Sequence, residues 1–293
     1  MMQSKPVIFI FGLGYVGVRL GQMLADKGWH IKGTTRNPAK LSNQADTGWD
    51  IFPFSPDRPL TDPEVALQDV DAILTTITAV NSTDPVLDAH GGVLQTYNGW
   101  SGYISATSVY PDQPEGFCFE DTPTDPATER GKARVIAEQR WLTMLDAEVF
   151  RVAGIYGPGR SPFDGLRNGT ARIITREGQL FNRIHLEDIC RIIVAAIERP
   201  RPRRIVNLAD KKPAPQGDVV RYAASLINVP PPEPQTLEQA NLSPMARSFY
   251  VSRRKVGSRV IKPELELDLL YPDYESGLRA ILDAEQMDKT KHS

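Results

Sequence analysis

Short apolar runs alternate along the chain with longer segments in which apolar residues recur every three or four positions. The short runs predict strands and the longer segments predict helices. The predicted strands are residues 7–11, 30–34, 51–54, 72–77, 102–105, 148–152 and 205–208, and the predicted helices are residues 16–27, 85–97, 132–145 and 186–198. Strand and helix repeated in this order are typical of a mostly parallel sheet covered on both faces. We therefore predict an α/β fold with a doubly wound sheet.

Two parts of the chain interrupt this order and predict a smaller second lobe. One is rich in Gly and Arg (residues 157–183), and the other begins after residue 208 and contains VPPPEP. We expect these parts to form a C-terminal substrate lobe over the carboxyl edge of the sheet, where open α/β sheets bind ligands. The predicted division is a sheet domain of residues 1–158 and 184–209, a substrate lobe of residues 159–183 and 210–285, and a frayed tail of residues 286–293.

The turn after the first predicted strand has the composition of a nucleotide-binding turn. Gly12, Gly14 and Gly17 form GxGxxG between an apolar strand and an amphipathic helix. The first glycine allows a tight bend, the second lets a pyrophosphate approach the backbone, and the third lets the helix pack on the strand. Phosphate would then lie at the helix start, at Tyr15 and Val16. The motif predicts a Rossmann-type NAD(P)-binding domain; the alternative is a strand–helix turn that only needs flexible residues.

The residues that end the second strand favour NADP over NAD. An Asp or Glu there would bind the ribose hydroxyls of NAD and repel the 2′-phosphate of NADP, but this chain has Thr34, Thr35 and Arg36. The guanidinium of Arg36 suits a phosphate, and Thr35 adds a hydroxyl. A charged hydrogen bond of roughly 1.5 to 3 kcal/mol gives an NADP preference of about ten- to a hundredfold. The alternative is that Arg36 is a solvated loop charge.

Four stretches together resemble the extended short-chain dehydrogenase/reductase family, the NAD(P)-dependent epimerase/dehydratase group. They are the glycine turn, GYISATSVYPD (residues 102–112), VFRVAGIYGPGR (residues 149–160) and NRIHLEDI (residues 182–189). The resemblance covers most of the chain and implies hydride transfer with a nicotinamide cofactor, in a protein that is frequently a homodimer. Phe11 stands where the commoner GxxGxxG form of the family has its first glycine, so the turn resembles the older dehydrogenase form.

The family's catalytic residues are matched only in part. The resemblance aligns its YxxxK motif with TERGK, in which Lys132 is present and Thr128 replaces the tyrosine. The family's Ser or Thr position falls on Ala106, beside Thr107. An aliphatic hydroxyl is a far weaker acid than a phenol of pKa about 10, so Thr128 does not simply replace the tyrosine. Lys132 would hold the nicotinamide ribose, and a bound ribose or phosphate would offset the unfavourable helix dipole at the start of its helix.

Three other side chains are candidates for the missing proton transfer. Tyr110 and Tyr156 carry a phenol, and His185 has a suitable unperturbed pKa. Each has a structural alternative, because the phenols can be packing residues with hydrogen-bonded hydroxyls and His185 can anchor its loop, with Asp188 as a partner.

An arginine cluster predicts an anionic substrate. The six arginines, set against the two acids Asp164 and Glu177, are Arg151, Arg160, Arg167, Arg172, Arg176 and Arg183. Guanidinium groups suit the diphosphate of a sugar nucleotide, so we expect Tyr156, Arg160 and Arg183 to bind substrate. A solvated basic surface paired with acids elsewhere is an equal alternative.

Composition limits the classes of function. The 293 residues have a formal net charge of −2, which gives no basic excess to bind nucleic acid or an anionic membrane. The two cysteines lack disulfide or metal-site spacing, which indicates a reducing cytoplasm and no metal. The first apolar run is too short for a signal peptide or a membrane span.

The leading hypothesis is an atypical NADP-binding reductase or epimerase that acts on a small anionic hydroxyl or carbonyl substrate. The alternative is a non-catalytic NADP-binding sensor that has lost the catalytic tyrosine. A DNA-binding regulator is less favoured, because the sequence shows no recognition-helix motif.

Overall fold

A computed structural model describes residues 5–79 and 83–291 of the chain. Its strands are β1 (Val7–Phe11), β2 (His30–Thr35), β3 (Asp50–Pro53), β4 (Ala72–Thr75), β5 (Trp100–Ala106), β6 (Gln113–Cys118), β7 (Glu148–Val152), β8 (Gly154–Tyr156), β9 (Ile173–Thr175), β10 (Arg183–His185), β11 (Ile205–Leu208), β12 (Pro234–Thr236) and β13 (Arg254–Val256). Its helices are α1 (Tyr15–Asp26), α2 (Ser42–Asp46), α3 (Pro63–Ala66), α4 (Pro85–Leu94), α5 (Glu129–Leu145), α6 (Pro162–Arg167), α7 (Leu186–Glu198), α8 (Gln216–Leu226), α9 (Pro244–Ser248), α10 (Ile261–Leu265) and α11 (Tyr274–Lys291), with short 3-10 turns at Pro38–Leu41 and Thr107–Val109.

The predicted α/β fold is confirmed by a seven-stranded sheet of order β11-β7-β5-β4-β1-β2-β3. The pairs from β3 to β5 are parallel. All seven strands predicted from the sequence belong to this sheet, and three of them have the predicted bounds. The order reverses at β1, which pairs with β2 on one side and with β4 on the other. An open α/β sheet binds its ligand beyond the carboxyl ends of the strands at such a reversal.

The chain divides into two compact units. The first contains residues 1–109, 129–151 and 190–206, and the second contains residues 110–128, 152–189 and 207–293. Residues 110–128, 152–158, 184–189 and 207–209, which the predicted division assigns to the sheet domain, belong to the second unit. The expected frayed tail differs as well, because α11 continues to Lys291; residues 292–293 lie outside the described part. Within the described ranges, no helix is long and apolar enough to cross a bilayer.

Each unit has its own apolar core. In the first unit, Phe9, Phe11, Tyr103 and Trp141 are fully buried, and the ring of Tyr103 stacks on that of Trp141 at a centroid distance of 5.9 Å. Tyr103 lies on β5 and Trp141 on α5, so this contact fixes the helix on the sheet. In the second unit, the core includes Phe163 and Leu278 together with helix α8.

A buried ion pair joins α5 to β7 within the first unit. Glu138 and Arg151 are almost fully buried, and Arg151 Nη2 lies 2.8 Å from Glu138 Oε2. The hydroxyl of Ser105, on β5, donates to Glu138 Oε1 at 2.5 Å. Because buried charges require a partner and hydrogen bonds, this triad fixes how α5 lies over the end of β5.

Candidate functional site

The glycine turn lies where β1 passes into α1, at the reversal of the strand order. Gly12 has a φ of +99°, a conformation that strongly favours glycine. Its N–H donates to Thr34 Oγ1 at 3.0 Å, and its carbonyl accepts from Thr76 Oγ1 at 2.7 Å. Leu13 N donates to Thr34 O at 2.6 Å. The ends of β2 and β4 therefore hold the turn from both sides.

The three glycines of the turn have different surroundings. A Cβ on Gly12 would lie 2.5 Å from Thr76 Oγ1, and a Cβ on Gly17 would lie 2.3 Å from the carbonyl oxygen of Gly12. A Cβ on Gly14 would meet no protein atom within 4 Å, and the φ of −96° at Gly14 is open to any residue. The fold thus explains Gly12 and Gly17, whereas Gly14 leaves an open space beside the backbone, which fits the close approach of a pyrophosphate.

The start of α1 is suited to a negatively charged group. Gly14 is the N-cap residue, no side chain caps the helix, and its first turn carries no acidic residue. The N–H groups of a first helical turn and the helix dipole favour an anion. The predicted positions Tyr15 and Val16 are the first two residues of this helix.

Arg36 directly follows β2, as the sequence predicted, and its side chain is exposed. Among the residues that the structure describes, none forms a hydrogen bond or ion pair with the Arg36 side chain. Thr35 is half-buried, and its hydroxyl oxygen accepts from Asn37 N at 3.5 Å. Arg36 is therefore available to a ligand at the end of β2.

The end of β5 presents two hydroxyls that follow Ala106. Thr107 and Ser108 are half-buried in the turn Thr107–Val109. The Oγ atom of Ser108 is buried and has no hydrogen-bond partner among residues 5–79 and 83–291. A buried hydroxyl without a partner is costly, so Ser108 is a candidate ligand contact. Sequence analysis did not identify it, because only the fold shows which of the hydroxyls after β5 lacks a partner.

Lys132 lies on the exposed side of α5. Its Nζ is 2.8 Å from Glu129 Oε1, and 57% of its side chain is accessible. Glu129 therefore supplies the negative charge that the sequence argument assigned to a bound ribose or phosphate. A carboxylate one turn earlier on the same helix already offsets the effect of the dipole on Lys132, so no bound ribose or phosphate is needed for that purpose.

Arg134 is the cation of α5 on the side facing the sheet. Residues two apart on a helix point about 200° apart, so Lys132 and Arg134 lie on opposite faces. Arg134 Nη1 donates to Arg130 O at a long 3.4 Å, and the guanidinium lies close enough to Tyr103 and Glu138 to interact electrostatically. Burial lowers the pKa of Arg134.

Tyr103 is the phenol nearest to this guanidinium. Its hydroxyl is buried, and the backbone of Ala79 lies close enough to lower its pKa slightly. Burial raises the pKa of Tyr103, the carboxylates of Asp84 and Glu138 raise it further, and Arg134 only partly opposes them. Tyr103 is therefore protonated at neutral pH.

Tyr110, Tyr156 and Thr128 belong to the second unit. The hydroxyl of Tyr110 is fully buried and donates to Asn207 Oδ1 at 2.7 Å. The hydroxyl of Tyr156 donates to Asp273 O at 3.2 Å, and burial raises the pKa of this phenol, which opposes a role as a base. The structural alternative for both tyrosines is thus supported. Thr128 is half-buried and directly precedes α5.

His185 packs between two aromatic rings in the second unit. Its ring lies 5.1 Å from that of Tyr156 and 4.2 Å from that of Tyr271, measured between centroids. Its Nδ1 accepts from Glu187 N, and burial lowers its pKa to about 4, so the ring is neutral at pH 7. Asp188 instead accepts from Leu270 N, so the expected partnership of His185 with Asp188 is wrong.

The predicted arginine cluster is divided among separate contacts. Arg151 pairs with Glu138 in the core of the first unit, and Arg167 pairs with Glu285. In the second unit, Arg183 is half-buried and donates to the carbonyl oxygens of Phe181 and Ala214. Arg160 is exposed next to β8. The alternative of arginines paired with acids elsewhere therefore holds for Arg151 and Arg167.

Comparisons with known proteins agree with this fold. Residues 7–118 match the family model of the NAD binding domain of 6-phosphogluconate dehydrogenase. A solved structure of a functionally unknown conserved protein from Silicibacter pomeroyi is 38% identical, with a TM-score of 0.88 over 96% of this chain and 99% of that one. Protein YeeZ of Escherichia coli is 27% identical over 91% of this chain and 96% of its own length. The dTDP-glucose 4,6-dehydratase of Bacillus anthracis, solved with NAD, is 16% identical with a TM-score of 0.76 over 97% and 98%, a likeness of fold alone.

Proposed function

The chain belongs to the same family as the conserved Silicibacter pomeroyi protein of unknown function, and we propose that it is an NADP-binding protein of the reductase or epimerase type. Its substrate is a small anionic molecule with a hydroxyl or carbonyl group, such as a sugar nucleotide. The observation that carries the proposal is Gly14, because the absence of its side chain is explained by neither the backbone conformation nor any neighbouring atom. A pyrophosphate at the start of α1 accounts for it.

NADP would be held by two parts of the first unit. The pyrophosphate would contact the turn from Gly12 to Gly17, and the 2′-phosphate would contact Thr35 and Arg36. The match of residues 7–118 to an NAD binding domain supports a nicotinamide dinucleotide. The preference for NADP rests on Arg36, because the side chain is available and no acid stands beside it to repel a phosphate.

A bound nicotinamide would supply the hydride, and the chain would supply the proton. Tyr110 and Tyr156 use their hydroxyls in contacts of their own. The remaining candidates in the first unit are the hydroxyls of Thr107 and Ser108 at the end of β5, and that of Ser108 is buried without a hydrogen-bond partner among the described residues. We propose that one of them relays a proton from water, and that a cation of α5 favours the negative charge that develops on the substrate oxygen.

Titration of the purified chain with NADPH and NADH tests the proposal. Arg36→Ala should weaken NADPH binding by about ten- to a hundredfold and leave NADH binding unchanged, since only NADPH carries the 2′-phosphate. Arg203→Ala is the matched control, because it removes an exposed guanidinium that forms a surface ion pair with Asp146. Failure of the wild type to bind either nucleotide would refute both the reductase and the sensor.

A second experiment decides which cation of α5 serves the nicotinamide half. Lys132→Met and Arg134→Met each remove one charge, on opposite faces of the helix. If Arg134 is the functional cation, Arg134→Met should abolish NADPH oxidation with carbonyl and sugar-nucleotide substrates, whereas Lys132→Met should retain it. The reverse result would restore Lys132 as the residue that holds the nicotinamide ribose.

A non-catalytic NADP sensor is the second candidate, favoured by the engaged hydroxyls of Tyr110 and Tyr156. A sensor would bind NADPH but show no substrate-dependent oxidation, and it would bind a partner protein in only one redox state of the nucleotide. The homodimer implied by the family resemblance is part of the same proposal, and sedimentation would measure it.

A further inference from the structure

The hydroxyl of Thr76 contacts the glycine turn from the end of β4. Thr76 directly follows β4, and its N–H donates to Phe11 O at 2.8 Å, which continues the parallel pairing of β4 with β1. Its Oγ1 donates to Gly12 O at 2.7 Å, the usual length of a hydroxyl hydrogen bond. Thr76 therefore holds two consecutive carbonyl groups at the point where the chain leaves β1.

The peptide that joins Gly12 to Leu13 is held from both sides. Its carbonyl oxygen accepts from Thr76 Oγ1 and also from Gly14 N at 2.8 Å. Its N–H donates to Thr34 O at 2.6 Å. The carbonyl and the N–H of a trans peptide point in opposite directions, so the bonds to β4 and β2 together fix the peptide plane. Of these three contacts, only that of Thr76 comes from a side chain, so it is the one that a substitution removes.

Gly12 and Thr76 are complementary in shape as well as in hydrogen bonding. A Cβ on Gly12 would lie 2.5 Å from Thr76 Oγ1, so the hydroxyl occupies space that a side chain at residue 12 would need. Gly12 also has a φ of +99°, which glycine adopts without steric cost. Because glycine has more backbone freedom than any other residue, a contact from outside the turn is needed to keep the turn in one conformation.

The orientation of this peptide determines which partial charges lie at the start of α1. The carbonyl oxygen of Gly12 is close to the helix, since a Cβ on Gly17 would lie 2.3 Å from it. A carbonyl oxygen carries partial negative charge and repels a phosphate, whereas the N–H groups of the first helical turn attract one. The bond to Thr76 turns the carbonyl toward β4 and so leaves the N–H groups of that helical turn available to an anion.

We propose that Thr76 is a positioning residue for the pyrophosphate of the nucleotide, and that it acts by holding the carbonyl of Gly12 away from the phosphate groups. This inference rests on the proposed function, because it assigns a role within the same nucleotide site. It adds a residue that lies outside the GxGxxG motif and follows a different strand. Both residues belong to the first unit.

Thr76→Val tests this role, because valine has nearly the shape of threonine but lacks the hydroxyl. Fluorescence titration of the full chain should show NADPH binding weakened by about three- to tenfold, the effect of one lost hydrogen bond. Thr76→Ser keeps a hydroxyl and should bind NADPH more tightly than Thr76→Val. The probe 2′-AMP has the adenosine and the 2′-phosphate but no pyrophosphate, so Thr76→Val should bind it as tightly as the wild type in ligand-observed NMR titrations.

Thr47→Val is the matched control. It removes a threonine hydroxyl that also donates to a backbone carbonyl at 2.7 Å, that of Gln44, at the exposed end of α2. NADPH binding should be unchanged in this variant, and circular dichroism verifies the folding of each protein.

The possible failures of this test are distinguishable. Wild-type NADPH affinity in Thr76→Val, an equal loss of NADPH and 2′-AMP binding in that variant, or no recovery in Thr76→Ser would overturn the role of Thr76 and leave the proposed function intact. Failure of the wild type to bind NADPH would instead overturn the proposed function, and this inference with it.

Discussion

Substitutions in the glycine turn should separate the stability of the protein from its affinity for nucleotide. In Gly14→Ser the new Cβ meets no atom within 4 Å, and the extended backbone at φ −96° accepts it without strain. Serine at an N-cap accepts a hydrogen bond from the first turn and stabilises a helix by a few tenths of a kcal/mol relative to glycine. We therefore expect a free energy of unfolding equal to or slightly above that of the wild type.

The same substitution should weaken NADPH binding. The serine side chain fills the open space that we assign to the pyrophosphate, and its hydroxyl uses an N–H group of the helix start. We expect an affinity loss of at least about tenfold, which corresponds to ~1.4 kcal/mol. A variant that is more stable but binds less tightly is difficult to explain by any general damage to the fold.

Gly17→Ala is the matched control, and it should lower the stability of the protein where Gly14→Ser does not. Its Cβ would lie 2.3 Å from the carbonyl oxygen of Gly12 and 3.2 Å from Ile10 Cγ2, so α1 must shift away from β1. Overpacking of this kind costs roughly 1–3 kcal/mol or more.

Urea denaturation without nucleotide measures the free energy of unfolding of each variant, and fluorescence titration measures its affinity for NADPH. Gly14→Ser with wild-type affinity would refute the pyrophosphate assignment, and a large loss of stability in that variant would refute the steric reasoning.

Three further predictions concern buried groups. Glu138→Gln leaves the buried charge of Arg151 unpaired and should lower the free energy of unfolding by about 3–5 kcal/mol in urea denaturation; a loss below about 1 kcal/mol would contradict it. The carboxyl of Asp210 has a pKa of about 7 when folded against an ordinary value of 3.8, so the folded state holds the proton more tightly and loses up to about 4 kcal/mol of stability as pH rises from about 4 through 7. Asp210→Asn should remove this loss and be more stable than the wild type near pH 8, and equal pH dependence of both proteins would contradict the prediction. The imidazole of His185 should titrate in NMR spectra with a midpoint of about 4, and a shift between pH 6 and 7 would contradict its burial.

The sequence was sufficient for the strands of the sheet, because each contains a short run rich in apolar residues that differs from the periodic pattern of the helices. The residues of β4 are all buried, as are those of β7, where Glu148 and Arg151 interrupt the apolar run. Gly12 and Arg36 were also predictable, since both are defined by their position relative to a strand end. Local pattern and local geometry agree at these places.

The partners of charged side chains were not predictable, because they depend on which residues the fold brings together. Arg151 is in the same sequence cluster as Arg160 and Arg183, yet it pairs with Glu138 on a helix that precedes it. Likewise, spacing in the sequence does not show whether Lys132 or Arg134 is the cation of α5 that faces the sheet. Only the structure shows that Ala133 and Ala137 are buried and therefore mark the inner face of α5. Arg134 lies on that side of the helix.

The distribution of phenols bears on whether the protein is an enzyme or a sensor. Catalysis in the family that this chain resembles requires a phenol whose pKa is lowered by a neighbouring cation. Burial raises the pKa of Tyr103 and of Tyr156, and the hydroxyl of Tyr110 is held by Asn207. Tyr103 and Tyr156 are therefore poorly prepared to lose a proton, and the hydroxyl of Tyr110 is already engaged. If the proton relay is an aliphatic hydroxyl, as we propose, that group does not ionise in this range, and the rate should depend weakly on pH between 6 and 9. A pronounced pH dependence in that range would require an ionising group other than these tyrosines.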